Sequence, residues 1–389
     1  MSEIKVNSIK GVAASTAAIT INNTDGTCTA NLSNRQNRNL VINGACLIAQ
    51  RGTSSTSNGY QTVDRYNMNS SGHDEAPTQA QADVAAGTSP YNSGFRKSLK
   101  ITNGNQTSGA GAADRLRILY IIESRDIANS GWNYTDSNSK ITLSFWIKSS
   151  VAQNFYFRAT SADGTVQNLP METGVLTADT WTKITKTISG NSNLQFDNDN
   201  GIGLYIIFAL FRGTDNTGSI TLDAWANNNP SVLYPDNTST WYTTNDATWE
   251  LTGLQLEVGS VATNFEHRTF AEELALCQRY FQQIGATGQD GTYVVNAAYL
   301  YNNGNNMATG YIAPVMMRAS PTFTQGTHGL KGWKGGTGAN ISNYNFIEQV
   351  FPSTHISVSA ALDADLGSDN DIALWINESN SLTTLSAEL

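Results

Sequence analysis

Between Ser98 and Gly259 one strand-like stretch follows another with no helical pattern between them, and that succession restricts the fold more than any other feature of the chain. The stretches are SLKITN (98–103), RLRILYII (115–122), KITLSFWIKSS (140–150), QNFYFRATS (153–161), TWTKITKTIS (180–189), GLYIIFALFRG (203–213) and WELTGLQLEVG (249–259). In ITLSFWIK, Ile141, Leu143, Phe145 and Ile147 point to one face and Thr142, Ser144, Trp146 and Lys148 to the other, because successive strand side chains alternate. Strands of this kind in turn-rich surroundings predict a β-sandwich or jelly roll and leave no room for a parallel α/β sheet. LYIIFALF, residues 204–211, is apolar on both faces and reads as a strand buried on both sides. It is far shorter than the roughly 20 residues of a membrane-spanning helix.

Upstream, NLVINGACLIAQRGTSS from Asn39 predicts a strand, an Asn-Gly turn and a second strand, followed by YQTVDRYN (60–67) and a polar loop from Ser70 to about Gly94. Residues 1–38 hold only two short alternating runs, AITIN (18–22) and TCTANL (27–32), around Asp25-Gly26. So few apolar side chains cannot offset the chain entropy of folding alone. The segment is therefore an extended arm that packs on another copy or an assembly partner, or else a disordered tail.

Downstream, TFAEELALCQRYFQQI carries a helix signal. Thr269 can cap, Glu272 stands where a capping-box partner belongs, and Phe270, Leu274, Cys277 and Phe281 recur at helical spacing. The expected helix spans 270–284, stops at Gly285 and closes a jelly-roll domain of residues 39–284. Residues 285–389 return to β pattern, in TYVVNAAYLY, TGYIAPVMMRASPTFT, NYNFIEQVF, HISVSAALDADL and DIALWINES, and predict a smaller β-sandwich. Pro314 and Pro321 belong at edges or strand starts. With no repeat of fixed period, a propeller or solenoid is disfavoured.

Charged residues make up 14% of the chain, against about a quarter in ordinary domains. The net charge of -9 and the absence of any Lys/Arg run speak against nucleic acid as a partner. The amino terminus has no signal-peptide core, so secretion by that route is not indicated and synthesis in a cytoplasm is expected, with no membrane insertion. Cys28, Cys46 and Cys277 form no CxxC pair and read as free thiols.

Glu266, His267 and Arg268 stand side by side, yet neighbours on an extended segment point apart, and a general base needs a partner from another element. They are expected to serve the junction between sandwich and helix. His73, Asp74 and Glu75 form a second polar cluster, expected to be a solvated loop in preference to a metal site. Asp197 and Asp199, in DNDNG, are candidate calcium ligands, with an Asx-rich turn as the alternative. No GxSxG elbow occurs and nothing isolates a carboxylate pair, so no catalytic residue is assigned. Trp225, Tyr234, Trp241, Tyr242 and Trp333 lie in turn-rich stretches where a core does not require them. They are candidates for stacking on sugars or for filling an interface between chains. Trp132, Trp146, Trp181 and Phe208 are expected in the core.

Taken in order, NLVINGACLIAQRGTS, DRY, KITLSFWIKSS, WTKITKTISG, LTGLQLEVGSVATNFEHR, ELALCQRYF and APVMMRASPTFT resemble phage tail-fibre and related virion appendage proteins with a jelly-roll domain similar to carbohydrate-binding modules. The first 38 residues resemble the attachment arms of fibres from phages of cyanobacteria and other marine bacteria. The resemblance implies a structural virion protein, a homotrimer joined to other tail or virion proteins through its amino terminus, whose β domains adsorb to host surface polysaccharide. In that family Glu257 and Glu266 anchor loops and Phe265 plugs the sandwich edge. A collar, adaptor or capsid-decorating fibre without receptor contact is the alternative, and a glycan-cleaving depolymerase a further one.

Overall fold

The computed structural model describes residues 8–9, 19–21, 28–30, 37–284, 293–324, 330–349, 354–367, 371–377 and 383–389. Near the amino terminus, β1 (Ser8–Ile9), β2 (Ile19–Ile21) and β3 (Cys28–Ala30) form a small antiparallel sheet in which Ile19 is registered with Ala30 and Ile21 with Cys28. The two alternating runs of the arm thus pair with each other. Asp25 and Gly26 lie outside the described residues, as does Gly285.

There follow β4 (Ser54–Ser55), β5 (Tyr66–Ser71), β6 (Thr78–Asp83), β7 (Lys97–Thr102), β8 (Arg115–Glu123), β9 (Lys140–Ser149), β10 (Asn154–Ser161), β11 (Gln167–Val175), β12 (Thr182–Ser189), β13 (Ile202–Arg212), β14 (Ala226–Asn227) and β15 (Thr248–Val258). They build an all-β sandwich of two six-stranded sheets, ordered β14-β11-β10-β13-β8-β5 and β12-β9-β15-β7-β6-β4, with antiparallel neighbours throughout. Leu116, Ile118 and Tyr120 of β8, Leu204, Ile206 and Phe208 of β13 and Phe157 of β10 face Ile141, Leu143, Phe145 and Ile147 of β9 and Leu251 and Leu256 of β15 across an apolar core. Phe145 meets Phe157 and Phe208 edge-on at 5.1 Å each. Trp132 and Phe208 are in the core as expected, whereas Trp146 and Trp181 are only partly buried, against Phe95 on the outer side of the second sheet.

Several segments depart from expectation. NLVINGACLIAQ forms no strand; it is a buried irregular plug whose backbone bonds partly to side chains and partly to the β15 backbone, Leu40 N to the Leu256 carbonyl at 2.9 Å and Leu254 N to the Gly44 carbonyl at 3.0 Å. Asn43 Nδ2 donates to the Ile48 and Asp64 carbonyls at 2.9 and 3.0 Å, and Asn39 Oδ1 accepts from Val41 and Leu256 at 3.0 Å each. Left-handed φ values of 59° at Asn43 and 57° at Cys46 break the strand path. Conversely, the polar loop expected at 70–94 contains β6, and QNLPMETGV forms β11 despite Pro170 and Gly174. Pairing with β7 and β10 overrides their weak propensity.

The capped helix is shorter than predicted, Phe270–Gln278, with the Thr269–Glu272 capping box formed. Its buried positions are Glu273 and Cys277, and Phe270 is 62% exposed, so the expected stripe is rotated. Glu273 tolerates burial because its Oε1 accepts from the Asn43 amide and from Arg268 Nη1 at 3.5 Å. Phe281–Ile284, expected to be helical, is β16. The remaining strands are β17 (Tyr293–Tyr301), β18 (Asn306–Ile312), β19 (Thr322–Thr324), β20 (Leu330–Lys334), β21 (Thr337–Gln349), β22 (His355–Leu362), β23 (Ile372–Asn377) and β24 (Thr383–Ser386). Pro321 precedes β19 and Pro314 lies between β18 and β19.

Where a second sandwich was expected, β17-β18-β22-β21-β20-β23 close into a barrel filled by Leu300, Met307, Ile356, Val358 and Ala360. Closure depends on β17 pairing with β23, which alternation does not specify. β16, β24 and β19 form a separate sheet at the boundary. Arg65, only 1% exposed, bonds Glu388 at 2.5 Å and the Ile121 carbonyl at 2.7 Å, and Arg51 bonds Glu388 at 3.0 Å. Arg279 grips Glu123 with two bonds of 2.9 and 2.8 Å.

Candidate functional site

The alternation that fills the core also decides what the first sheet shows on its other side. With Leu116, Ile118 and Tyr120 inward, β8 turns Arg115, Arg117 and Leu119 outward, and β10 likewise turns out Tyr156 and Arg158. In register, Asn69, Arg117, Ala209 and Tyr156 form one row across β5, β8, β13 and β10. Asn67, Leu119, Ile207 and Arg158 form the next. On the other side Ser71, Arg115 and Arg212 stand in register. Four guanidiniums thus share one face, with the small side chain of Ala209 in register between Arg117 and Tyr156.

Amides position these arginines. Arg117 Nε donates to Asn69 Oδ1 at 3.1 Å, Arg158 Nη1 to Asn168 Oδ1 and Asn228 Oδ1 at 3.2 Å each, and Arg212 Nη2 to Asn216 Oδ1. The Arg158 guanidinium lies 5.4 Å from the Tyr234 ring centroid. Burial holds the Arg117 and Arg212 pKa values below the usual arginine range, with the charge of Arg115 pushing the same way. Burial likewise raises the Tyr205 phenol, while Arg117 and Arg158 oppose that rise.

The five aromatic candidates are not brought together. Trp241 and Tyr242 are fully buried, and Tyr242 stacks on Phe211 at 4.3 Å, so neither is a surface platform. Their turn-rich neighbourhood disguises a short helix, Thr240–Thr243, that plugs the sandwich. Trp225 is half-buried and donates its Nε1 to the Ser189 carbonyl at 2.9 Å. Trp333 is 36% exposed on the barrel, on β20. Tyr234 is buried too, against Ala209 and Tyr156, so it is a wall of the arginine face and not an exposed ring. Its hydroxyl has no partner among the described residues. Arg115, Arg117 and Arg158 carry a weak signal in RLRILYII and NFYFRATS, where each falls on the outward phase of its strand; Arg212 shares the phase of inward Leu204, Ile206 and Phe208 and comes to the face only through the register shift between Ala209 and Phe211, and the lateral order of strands, absent from the sequence, unites the four.

Glu266, His267 and Arg268 diverge into separate tasks. Glu266 accepts from the Asn37 and Asn39 amides, Arg268 donates to the Asn39 and Val41 carbonyls at 2.6 and 3.1 Å, and His267 Nε2 lies 3.0 Å from the Ser93 carbonyl. Glu257 accepts from the Thr263 amide at 2.8 Å, and Phe265 packs edge-on against Phe95 at 4.8 Å. Asp74 binds Ser108 and Glu75 the Asn105 amide, tying two loops together. Asp197 accepts from Gln195 at 3.0 Å and Asp199 from the Gly201 amide at 2.8 Å, and no group of three His, Cys, Asp or Glu suited to a metal occurs among the described residues.

No protein-family model and no curated protein matches the sequence. Among solved structures, a putative sugar binding protein from Bacteroides thetaiotaomicron is similar at 10% identity and TM-score 0.32, over 57% of this chain and 100% of that one. The enzymatically active domain of tailspike protein 4 of bacteriophage CBA120 is similar at 9% identity and TM-score 0.30, over 57% of this chain and 21% of that one. The amino-terminal cellulose-binding domain of Cellulomonas fimi β-1,4-glucanase C is similar at 10% identity and TM-score 0.26, over 55% and 100%. Likenesses of this size carry no argument about the ligand or role of this chain.

Proposed function

We propose that the outer face of β5, β8, β13 and β10 binds carbohydrate on a host surface, and that the chain is a phage tail fibre that binds without cleaving. The observation that carries the reading is the face itself, where planar donors on Arg115, Arg117 and Arg212 stand beside Asn69 and the rings of Tyr156 and Tyr205, with Arg158, Asn168 and Tyr234 buried alongside. Fixed hydrogen-bonding groups beside aromatic rings suit a sugar, which offers hydroxyls at its rim and an apolar ring face. The virion setting is supported by the ordered sequence segments and by an amino-terminal arm too poor in apolar residues to fold alone. In this reading the arm joins the protein to other virion components and three copies assemble around it. Incubating the purified protein with host polysaccharide tests the binding: retention without released reducing ends is expected. Released ends would sink the non-enzymatic part, and absence of retention the binding part.

A further inference from the structure

Elsewhere five buried or half-buried arginines answer to carboxylates, Arg38 to Glu257, Arg51 and Arg65 to Glu388, Arg268 to Glu273 and Arg279 to Glu123, while Arg318 is met on all three nitrogens by the Ala387, Asn200 and Glu388 carbonyls. Arg115, Arg117, Arg158 and Arg212 form no ion pair among the described residues. The exception is marked in a chain of net charge -9, which has acids to spare. Glu172 accepts from Asn154 at 2.7 Å, Asp236 from Thr217 at 2.7 Å and Asp114 from the Gly111 amide at 2.7 Å, and Asp215, whose charge favours the Arg212 cation, forms no ion pair with it among the described residues. Arg115 and Arg212 stand in register on adjacent strands, where like charges oppose each other and weaken a sheet. The Nε atoms of Arg115, Arg158 and Arg212 and Nη1 of Arg212 are shielded from solvent and have no hydrogen-bond partner among the described residues. Unmet buried donors cost stability in the free protein and bond strongly to an anion that reaches them.

We propose that this face takes an anionic carbohydrate, a glycan bearing carboxylate or sulfate groups, with the acid groups seated among Arg115, Arg117, Arg158 and Arg212. The proposal rests on the carbohydrate-binding reading above and sharpens it. Neutral amides from Asn69, Asn168 and Asn216 hold Arg117, Arg158 and Arg212 without cancelling their charge; Arg117 is held through Nε, so both of its terminal nitrogens face the ligand, whereas Arg158 and Arg212 each have one terminal nitrogen engaged. Tyr156 and Tyr205 beside them offer surface to the sugar ring.

The test uses the full chain and four probes: polygalacturonate for carboxylate, dextran sulfate for sulfate, dextran as a neutral glycan, and host polysaccharide. The native protein is expected to bind at least one polyanion in a salt-sensitive way and to ignore dextran; the preferred polyanion identifies the acid group. Arg117→Gln and Arg212→Gln should each weaken that binding by roughly tenfold or more, the value of one lost charge-assisted contact. Their thermal unfolding without ligand should stay level or rise, because repulsion is relieved. Arg96→Gln, an exposed arginine away from this face, should change nothing. If a variant fails to fold, Arg115→Gln at the strand start replaces it. Polyanion binding unaltered in the folded arginine variants, or equal binding to dextran, overturns the proposal while leaving carbohydrate binding intact. Failure to bind host polysaccharide or any of the glycans sinks both.

Discussion

Phe145 meets two other rings at the centre of the sandwich, so its truncation cannot be healed by small shifts. Phe145→Ala should lower stability by about 3–5 kcal/mol in chemical denaturation. Glu273 behaves differently, because burial raises its pKa above the usual carboxylate value of 4.5. A raised folded pKa means a contribution fully present below pH 4.5 and lost as pH rises through the folded value. Glu273→Gln, which keeps an oxygen for the Asn43 amide, should therefore flatten that part of the decline, as read from unfolding curves between pH 4.5 and 8; an unchanged slope would place the effect at another buried acid such as Asp64, also raised by burial. At this scale the sequence was a fair guide where alternation ruled, as at Ile141, Leu143, Phe145 and Ile147. It misled where a ring in a polar stretch turned inward, as at Trp241 and Tyr242, because turn-rich composition says nothing about which side of a loop faces the core.

Among elements, the helix Phe270–Gln278 was legible at its start and not at its end. Its capping box is local chemistry that a sequence states outright, and Thr269→Ala should cost about 1 kcal/mol, measurable by thermal unfolding. Its end is decided by Phe281–Ile284 pairing with a strand about a hundred residues later, which helical spacing cannot anticipate. The same holds for β6 and β11, whose neighbours supply what their own residues lack. It holds also for the arginine face: Arg115, Arg117 and Arg158 follow the alternation of their strands, Arg212 turns outward only through the register shift after Ala209, and the assembly of all four follows from the order β10-β13-β8.

For the whole molecule, the proposed assembly predicts a particle in light scattering of about three times 41.9 kDa; a mass near one chain would remove the trimer. Within one chain, sandwich and barrel are locked together at Arg65 and Glu388. Glu388→Gln leaves a buried guanidinium uncompensated and should destabilise the protein by about 3–5 kcal/mol, with an earlier unfolding transition. The sheet that joins β16 to β24 has a further consequence, for the order of events on the ribosome. Everything the sandwich core needs has been synthesised by Val258, whereas β16 must wait for Ser386 and Arg65 for Glu388. The sandwich can mature while the barrel is still being made, and until Ser386 and Glu388 emerge a buried cation and an unpaired strand stand open, the interval in which a stalled chain is most exposed to aggregation and proteolysis.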